Sequence, residues 1–136
     1  MPAEGPIAVD AMGGDGAPQA LVRGALEAVT ESGIPVHLVG PQKRLRRELG
    51  RFRFLPTGLE LVDAPEVVGM DDPAISVLRG KKHSSLNVCA ELVRDGRATA
   101  MVTAGNTGAA WVAAKSALGM ICLLYTSDAA DECPAV

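Results

Sequence analysis

Residues 7–18 read IAVDAMGGDGAP and combine an apolar run, a glycine cluster and a proline. Its apolar start predicts a short strand that ends near Asp10, and its glycine cluster predicts a turn. Pro18 is favoured in the first turn of a helix, and apolar residues then recur at helical spacing over residues 19–31. Gly33 predicts the end of that helix. The stretch is therefore a strand, a glycine turn and a helix in succession.

The same alternation continues along the chain. Further strands are predicted at residues 36–40, 59–63 and 100–103. Further helices are predicted at residues 41–50, in a short segment from Asp72-Pro73, from a cap at Ser84 or Ser85 to Asp95, and at 107–117. Strands that alternate with helices pack as a parallel sheet covered by helices. The sequence therefore predicts an α/β fold, a three-layer α/β/α architecture with a mainly parallel sheet.

Composition excludes several classes of protein. The 136 residues are 48% hydrophobic and 21% charged, which is typical of a globular chain. The net charge of −3 argues against a nucleic-acid partner. No apolar stretch reaches the ~20 residues of a membrane helix, and no signal peptide is recognised. The three cysteines lack metal-ligand spacing, so we expect neither a zinc site nor a disulfide scaffold. These features favour a cytosolic protein.

The chain changes character after Met120. Residues 122–133 hold two of the three cysteines and the only tyrosine, and they supply neither a clear turn nor the next expected strand. We therefore predict that residues 1–120 are part of a domain and that residues 121–136 are a tail of non-native origin.

The first candidate site is the glycine turn after the first strand. Parallel sheets bind ligands at the carboxyl ends of their strands. Gly13 and Gly14 let the backbone approach a ligand, and the free N–H groups of the following helix suit an anion. Asp10 and Asp15 can orient a hydroxyl, a lysine or a metal. An ordinary turn with Asp15 near the helix N-cap explains the same residues equally well.

The second candidate site is residues 103–109, which read TAGNTGA. A strand again ends in a turn, with Gly105 and Gly108, and a helix begins. Asn106 tolerates unusual backbone angles, and Thr107 can cap the helix or bind a phosphate oxygen. The stretch is neither a P-loop nor a complete dinucleotide-binding fingerprint. A capped turn without a ligand is an equal alternative.

The third candidate site is residues 81–85, which read KKHSS. The ammonium groups of Lys81 and Lys82 and the hydroxyls of Ser84 and Ser85 would hold a phosphate well at the start of a helix. Taken alone, a solvated basic turn with a serine cap is the better interpretation.

Other residues favour structural roles. Cys89 is expected in the core and Trp111 is expected to pack. A basic cluster is more typical of a solvated helix face than of a surface that docks an acidic protein. That cluster consists of Lys43, Arg44, Arg46, Arg47, Arg51 and Arg53.

Four segments in order resemble one known family. They are residues 10–18, residues 65–71 (PEVVGMD), residues 81–85 and residues 103–109. Together they resemble the signatures of bacterial phosphate acyltransferases, the PlsX family. The resemblance covers residues 6–120. Family chains are more than twice as long, which implies that residues 1–120 are the N-terminal part of a truncated phosphate acyltransferase domain.

The resemblance implies an activity and partners. Inorganic phosphate attacks the thioester of an acyl-carrier protein, and the acyl phosphate then supplies a glycerol-3-phosphate acyltransferase in phospholipid synthesis. The family implies a cytoplasmic homodimer with peripheral membrane contact, and a fold related to phosphotransacetylases and isopropylmalate dehydrogenases. It implies no metal and no organic cofactor.

Because phosphate is itself the nucleophile in such a reaction, the protein must hold a dianion beside the thioester and stabilise an oxyanion. We therefore expect catalytic roles for Asp10, Asp15 and Lys82. We expect phosphate binding by Gly13, Gly14, Lys81, Ser84, Ser85, Gly105, Asn106, Thr107 and Gly108.

Two alternatives remain open at this stage. A nucleotide-binding oxidoreductase on a similar fold would need a complete glycine fingerprint and an acidic ribose ligand about 20 residues further on, and the second glycine turn lacks the first of these. A non-enzymatic fragment that binds carrier protein through residues 43–53 is the other alternative. We further expect that the 136-residue chain is itself inactive or poorly folded.

Overall fold

The structure is a computed structural model that describes residues 5–119. It contains four strands and five helices in the predicted alternation. The elements are β1 (Ile7–Asp10), α1 (Gln19–Ser32), β2 (Val36–Gly40), α2 (Gln42–Leu49), β3 (Leu59–Asp63), α3 (Ser76–Arg79), α4 (Ser85–Arg94), β4 (Ala100–Val102) and α5 (Thr107–Leu118). The expected tail at residues 121–136 lies outside the described residues.

The four strands form one parallel sheet in the order β3-β2-β1-β4. Strand β1 lies in the middle, with Ile7 beside Val36 of β2 and Ala100 of β4. Because neighbouring parallel strands end at one edge, the turns after β1 and β4 lie side by side. The predicted α/β fold with a parallel sheet is confirmed.

Helices cover both faces of the sheet. Alternate residues of β2 point to opposite faces, as in any strand. Leu38 packs with α1 and α2 on one face, where Val22, Leu26 and Leu45 complete the core. On the other face Val39 packs with α4 around Cys89 and Leu92. The predicted three layers are therefore present.

Cys89 is fully buried, as expected. Burial raises the pKa of its thiol well above the ordinary value, and the nearby Asp10 carboxylate contributes in the same direction. A neutral thiol in an apolar layer packs as a small hydrophobic side chain and does not act as a nucleophile.

The ends of the helices follow from local chemistry. Gly33 adopts the left-handed conformation with φ 65° and its N–H donates to the Val29 carbonyl, which ends α1 as predicted. Ser84 caps α4, since its hydroxyl accepts the Asn87 N–H.

The short helix α3 begins later than predicted. It starts at Ser76 and not at Asp72-Pro73. The Asp72 carboxylate accepts the Gly69 N–H and the Asp72 N–H donates to the Gly69 carbonyl, so residues 69–72 form a closed turn. Asp72 is therefore a turn residue and not the start of a helix.

Beside β4, the sheet face that packs on α1 is only partly covered among the described residues. Val102 of β4 is 51% exposed. It borders an apolar groove of about 400 Å³ that is also lined by Ile7, Val9, Leu21 and Ala28. Trp111 of α5 is 53% exposed, so the expectation that it packs is wrong, and Lys115 lies over its ring instead.

Candidate anion site at two glycine turns

The two glycine turns touch each other. A Cβ atom added to Gly13 would lie 2.8 Å from the Gly105 nitrogen and 2.8 Å from the Thr103 Oγ1. A Cβ atom added to Gly105 would lie 3.0 Å from the Gly13 Cα. The distances at Gly13 are shorter than real Cβ atoms show, so that position has room only for glycine, and the distance at Gly105 is tighter than most real Cβ contacts. The second turn therefore packs directly on the first, at the carboxyl edge of the sheet.

Gly14 needs glycine for a further reason. Its φ of 90° belongs to the region that side chains disfavour, and an added Cβ would lie 3.0 Å from the Ala104 carbonyl oxygen. At these glycines no side chain covers the backbone of the turns, which lets a small ligand approach the peptide N–H groups.

The Asp10 carboxylate lies beneath the two turns and is only 2% exposed. Its Oδ1 accepts the Met12 N–H at 3.0 Å and its Oδ2 accepts the Thr103 hydroxyl at 2.8 Å. The hydroxyl in turn accepts the Gly105 N–H at 3.1 Å. Asp10 therefore orients a hydroxyl, one of the roles that its position after a strand allowed.

The start of α5 offers free donors beside this contact. Asn106 caps the helix, since its Oδ1 accepts the Ala109 N–H and its carbonyl accepts the Ala110 N–H. Among the described residues, the N–H groups of Thr107 and Gly108 have no acceptor, and both residues are exposed. Unpaired N–H groups at the start of a helix attract an anion.

The side chain of Asn106 also holds a neighbouring loop. Its Nδ2 donates to the Gly69 carbonyl at 3.1 Å, the Met70 carbonyl at 3.3 Å and the Asp72 carbonyl at 2.9 Å. The loop at residues 69–72 is thereby fixed to the second glycine turn. The Asn106 side-chain amide has a structural role, because its oxygen and its nitrogen both form hydrogen bonds within the protein.

Lys81 is attached to the same loop. Its Nζ lies 2.5 Å from the Asp72 Oδ2 and donates to the Val67 carbonyl at 2.8 Å. The Lys81 ammonium and then the Gly69 N–H lower the pKa of the Asp72 carboxyl below its ordinary value. The third candidate segment therefore connects to the second glycine turn through Lys81, Asp72 and Asn106.

The side chains of Lys82 and Asp15 make no hydrogen bond to this network within residues 5–119. Lys82 is exposed and lines a groove with Val77, Glu91 and Arg94, whose lining among the described residues includes neither glycine turn. Asp15 is exposed, and no hydrogen bond of its carboxylate is found within residues 5–119.

Both serines of the third segment are buried. Ser84 serves as the cap of α4, and the Ser85 N–H donates to the Glu66 carbonyl. A phosphate role for either hydroxyl stays a prediction.

Sequence reasoning did not predict the roles of three residues of the network. Thr103 lies in the second candidate segment but had no role assigned to it, and a helix was predicted to start at Asp72. Asn87 was not singled out, although its Nδ2 donates to the carbonyls of Val77, Lys81 and Lys82. The asparagine and aspartate signals were visible, because both residue types often bond to nearby backbone.

The structure is a parallel α/β protein whose adjacent strands end in contacting glycine turns beside free helix N–H groups. In parallel α/β proteins, such a place is where anionic ligands commonly bind. Within the described residues, no helix is long and apolar enough to span a membrane. No group of three or more metal-ligating side chains is found there either.

The family is shown by comparison. The family model described as "Fatty acid synthesis protein" matches residues 6–127. The chain belongs to this family, and the resemblance noted from the four sequence segments is confirmed.

Two curated relatives that the chain matches have the same name. The chain is 52% identical over 117 residues to the "Phosphate acyltransferase" of Anaeromyxobacter sp. (strain Fw109-5), a match that covers 84% of this chain and 32% of the relative. It is 50% identical over 107 residues to that of Pelobacter propionicus, covering 79% of this chain and 31% of the relative. The chain thus spans about a third of the length of the curated relatives that it matches.

Proposed function

We propose that this chain is the N-terminal part of a longer enzyme, referred to below as the full-length protein. That protein transfers a fatty acyl group from acyl-carrier protein to inorganic phosphate. The proposal rests on the family and on one observation, the direct contact of the two glycine turns beside the free N–H groups of α5.

The chemistry requires little more than placement of the phosphate. An oxygen of hydrogen phosphate attacks the thioester carbon, and the carbonyl becomes a tetrahedral oxyanion. The oxyanion then collapses and breaks the carbon–sulfur bond, and the released thiolate takes up the proton that the phosphate loses, which gives the carrier thiol. The N–H groups of Gly14, Thr107 and Gly108 would hold phosphate or the oxyanion, because none of them has an acceptor within residues 5–119. Lys81 would add positive charge once phosphate competes with Asp72 for its ammonium group.

The chain alone offers only part of such a site. Its open β4 edge and apolar groove expose surface that a complete domain would bury. We therefore propose that the 136-residue chain is inactive and that the full-length protein is active. The homodimer, the glycerol-3-phosphate acyltransferase partner, the cytoplasmic location and the peripheral membrane contact belong to the same proposal.

The test is a direct assay of acyl phosphate. Purified full-length protein is mixed with acyl-carrier protein loaded with a fatty acid and with phosphate, and hydroxylamine traps acyl phosphate as a hydroxamate. We expect a signal that depends on phosphate, and none from the 136-residue chain. Absence of product from the full-length protein would refute the proposed reaction.

A second function is supported by the surface of α2 and the loop that follows it. Glu48 is buried and pairs with Arg51 at 3.2 Å, whereas the five other cations of the cluster are exposed and have no acidic partner among the described residues. Phe54 beside them is 81% exposed. A cationic surface with an exposed aromatic side chain suits an acidic protein such as a carrier.

Replacing Arg46 and Arg47 by Glu tests this second function. We expect weaker binding of acyl-carrier protein to the 136-residue chain at low salt. Unchanged binding, or no binding by the parent chain, would reject the surface as a carrier site.

A further inference from the structure

A chain of hydrogen bonds joins the two glycine turns through one hydroxyl. The Gly105 N–H donates to the Thr103 Oγ1 at 3.1 Å, and the Thr103 hydroxyl lies 2.8 Å from the Asp10 Oδ2. A backbone N–H can only donate, so the Thr103 oxygen accepts the Gly105 N–H and the hydroxyl proton is left to donate to Asp10. This arrangement fixes the direction of both hydrogen bonds, from Gly105 to Thr103 and from Thr103 to Asp10.

Little free space surrounds the Thr103 hydroxyl. A Cβ atom added to Gly13 would lie 2.8 Å from the hydroxyl oxygen and 3.0 Å from the Asp10 Oδ2. Asp10 itself is only 2% exposed. If the hydroxyl is removed, the part-buried Gly105 N–H and one oxygen of the buried Asp10 carboxylate both lose their partner. Buried polar groups without partners are costly, so the turn would move to find new ones.

From this geometry we infer that Thr103 is a positioning residue, whose hydroxyl holds the second glycine turn in the shape that presents the α5 N–H groups to phosphate. Asp10 acts through Thr103 and does not touch the substrate, because both of its oxygens are engaged inside the protein. The γ-methyl group of threonine restricts the side chain to few rotamers, which helps to aim the hydroxyl. This inference rests on the proposed function.

The test uses the full-length protein and three variants of one position. Thr103→Val replaces the hydroxyl by a methyl group, Thr103→Ala removes it without adding bulk, and Thr103→Ser keeps it. Thr99→Val is the matched control, because the Thr99 hydroxyl donates to the Pro6 carbonyl before the start of β4, away from the turns. Initial rates of acyl phosphate formation are measured against phosphate and against acyl-carrier protein.

We expect Thr103→Val and Thr103→Ala to raise the phosphate KM by about tenfold or more, with less than about a twofold change in the carrier KM. Thr103→Ser should bring the phosphate KM back to within about threefold of the parent value. A purely structural role would lower the melting temperature and leave the phosphate KM of the folded protein unchanged, and that result would overturn the inference. Thr103→Ala carries the test if Thr103→Val does not fold.

Hydrogen exchange separates this inference from the proposed function. We expect the Gly105 amide to exchange about tenfold faster in Thr103→Ala than in the parent or in Thr103→Ser, because its acceptor is gone. If the parent forms no acyl phosphate, the proposed reaction fails, whereas this exchange difference still reports on the turn. Equal exchange of Gly105 in all three proteins would refute the positioning role whatever the reaction is.

Discussion

At the carboxyl edge of the sheet, individual residues determine how closely the two glycine turns approach each other. Gly13 is the tightest of them, since an added Cβ would meet the Gly105 nitrogen and the Thr103 hydroxyl at 2.8 Å each. The first neighbour is backbone, and the second is a side-chain oxygen that hydrogen bonds to Asp10 and Gly105 hold in place. The contact between the turns therefore depends on the absence of a side chain at this position.

Replacing Gly13 by Ala should destabilise the full-length protein by about 1–3 kcal/mol, because a methyl group has no space there. Gly24→Ala is the matched control: Gly24 is exposed in α1 and an added Cβ meets nothing within 4 Å. That control should stabilise the protein by about 0.5–1 kcal/mol, since glycine disfavours helices. Urea unfolding measures both. Similar stability of the two variants would show that the turns are not in close contact.

Cys89 gives a second prediction, which concerns reactivity. The thiol is fully buried and burial raises its pKa, so it stays neutral in the folded protein. The unfolded thiol ionises at its ordinary pKa, so the free energy of unfolding should fall as the pH rises above that value. Iodoacetamide at pH 8 should leave the Cys89 peptide unmodified in native protein and modify it in urea, as read by mass spectrometry. Rapid native modification would contradict the described burial.

The sequence signalled some of these residues and not others. Glycine clusters after strands are visible without a structure, and so is the apolar setting of Cys89. The role of Thr103 was not visible, because it depends on a carboxylate 93 positions earlier in the chain. Such a contact arises from strand order, and periodicity within one segment carries no information about it.

Among the helices, the Ser84 cap of α4 and the Asn106 cap of α5 differ in the number of hydrogen bonds that they make. Ser84 accepts one N–H at the start of α4. Asn106 accepts one N–H at the start of α5 and also donates to three carbonyls of the loop at residues 69–72. The start of α5 is thereby tied to a loop that also carries the Lys81–Asp72 ion pair.

We therefore expect Asn106→Ala to be more damaging than Ser84→Ala. Loss of the serine cap should cost about 1 kcal/mol, and loss of the asparagine should cost at least about 1 kcal/mol more, because the loop is released as well. Urea unfolding of both variants in the full-length protein provides the comparison. Equal losses would mean that the loop contacts contribute nothing to stability.

Most elements were predictable because each has local signals. Strand and helix periods, the Gly33 stop and the Ser84 cap all act within a few residues of the feature that they determine. The start of α3 was predicted wrongly, since Asp72 bonds back to Gly69 and forms a turn first. Trp111 was expected to pack, but the outer face of α5 has no covering element within residues 5–119.

At the scale of the whole molecule, one sheet edge and one groove remain open. Strand β4 exposes Val102 beside an apolar groove of about 400 Å³. An exposed strand edge next to apolar surface favours self-association. The curated relatives are about three times as long as the matched segment, so they have ample chain with which to cover such a surface.

The 136-residue chain should therefore bind the dye ANS and self-associate in sedimentation experiments. Val102→Lys should reduce both effects, because it places a charge on the edge strand. Thr57→Lys, in an exposed loop beyond α2, is the control and should change neither. A chain that stays monomeric and leaves ANS fluorescence unchanged would show that the groove is covered in some other way.

The meeting of the two glycine turns is also a property of the whole molecule. The sequence placed each turn at the carboxyl end of a strand, yet it did not say which strands are neighbours. The pairing of β4 with β1 brings together turns that lie 92 positions apart, from Gly13 to Gly105. The central claim, that both turns bind one phosphate, depends on this pairing.

A titration of inorganic phosphate into ¹⁵N-labelled full-length protein, followed by amide chemical shifts, tests that claim most directly. We predict that the amides of Gly14 in the first turn and of Thr107 and Gly108 after the second shift together and give one Kd. Shifts in only one turn, different Kd values for the two, or no shift in either would contradict a shared phosphate site.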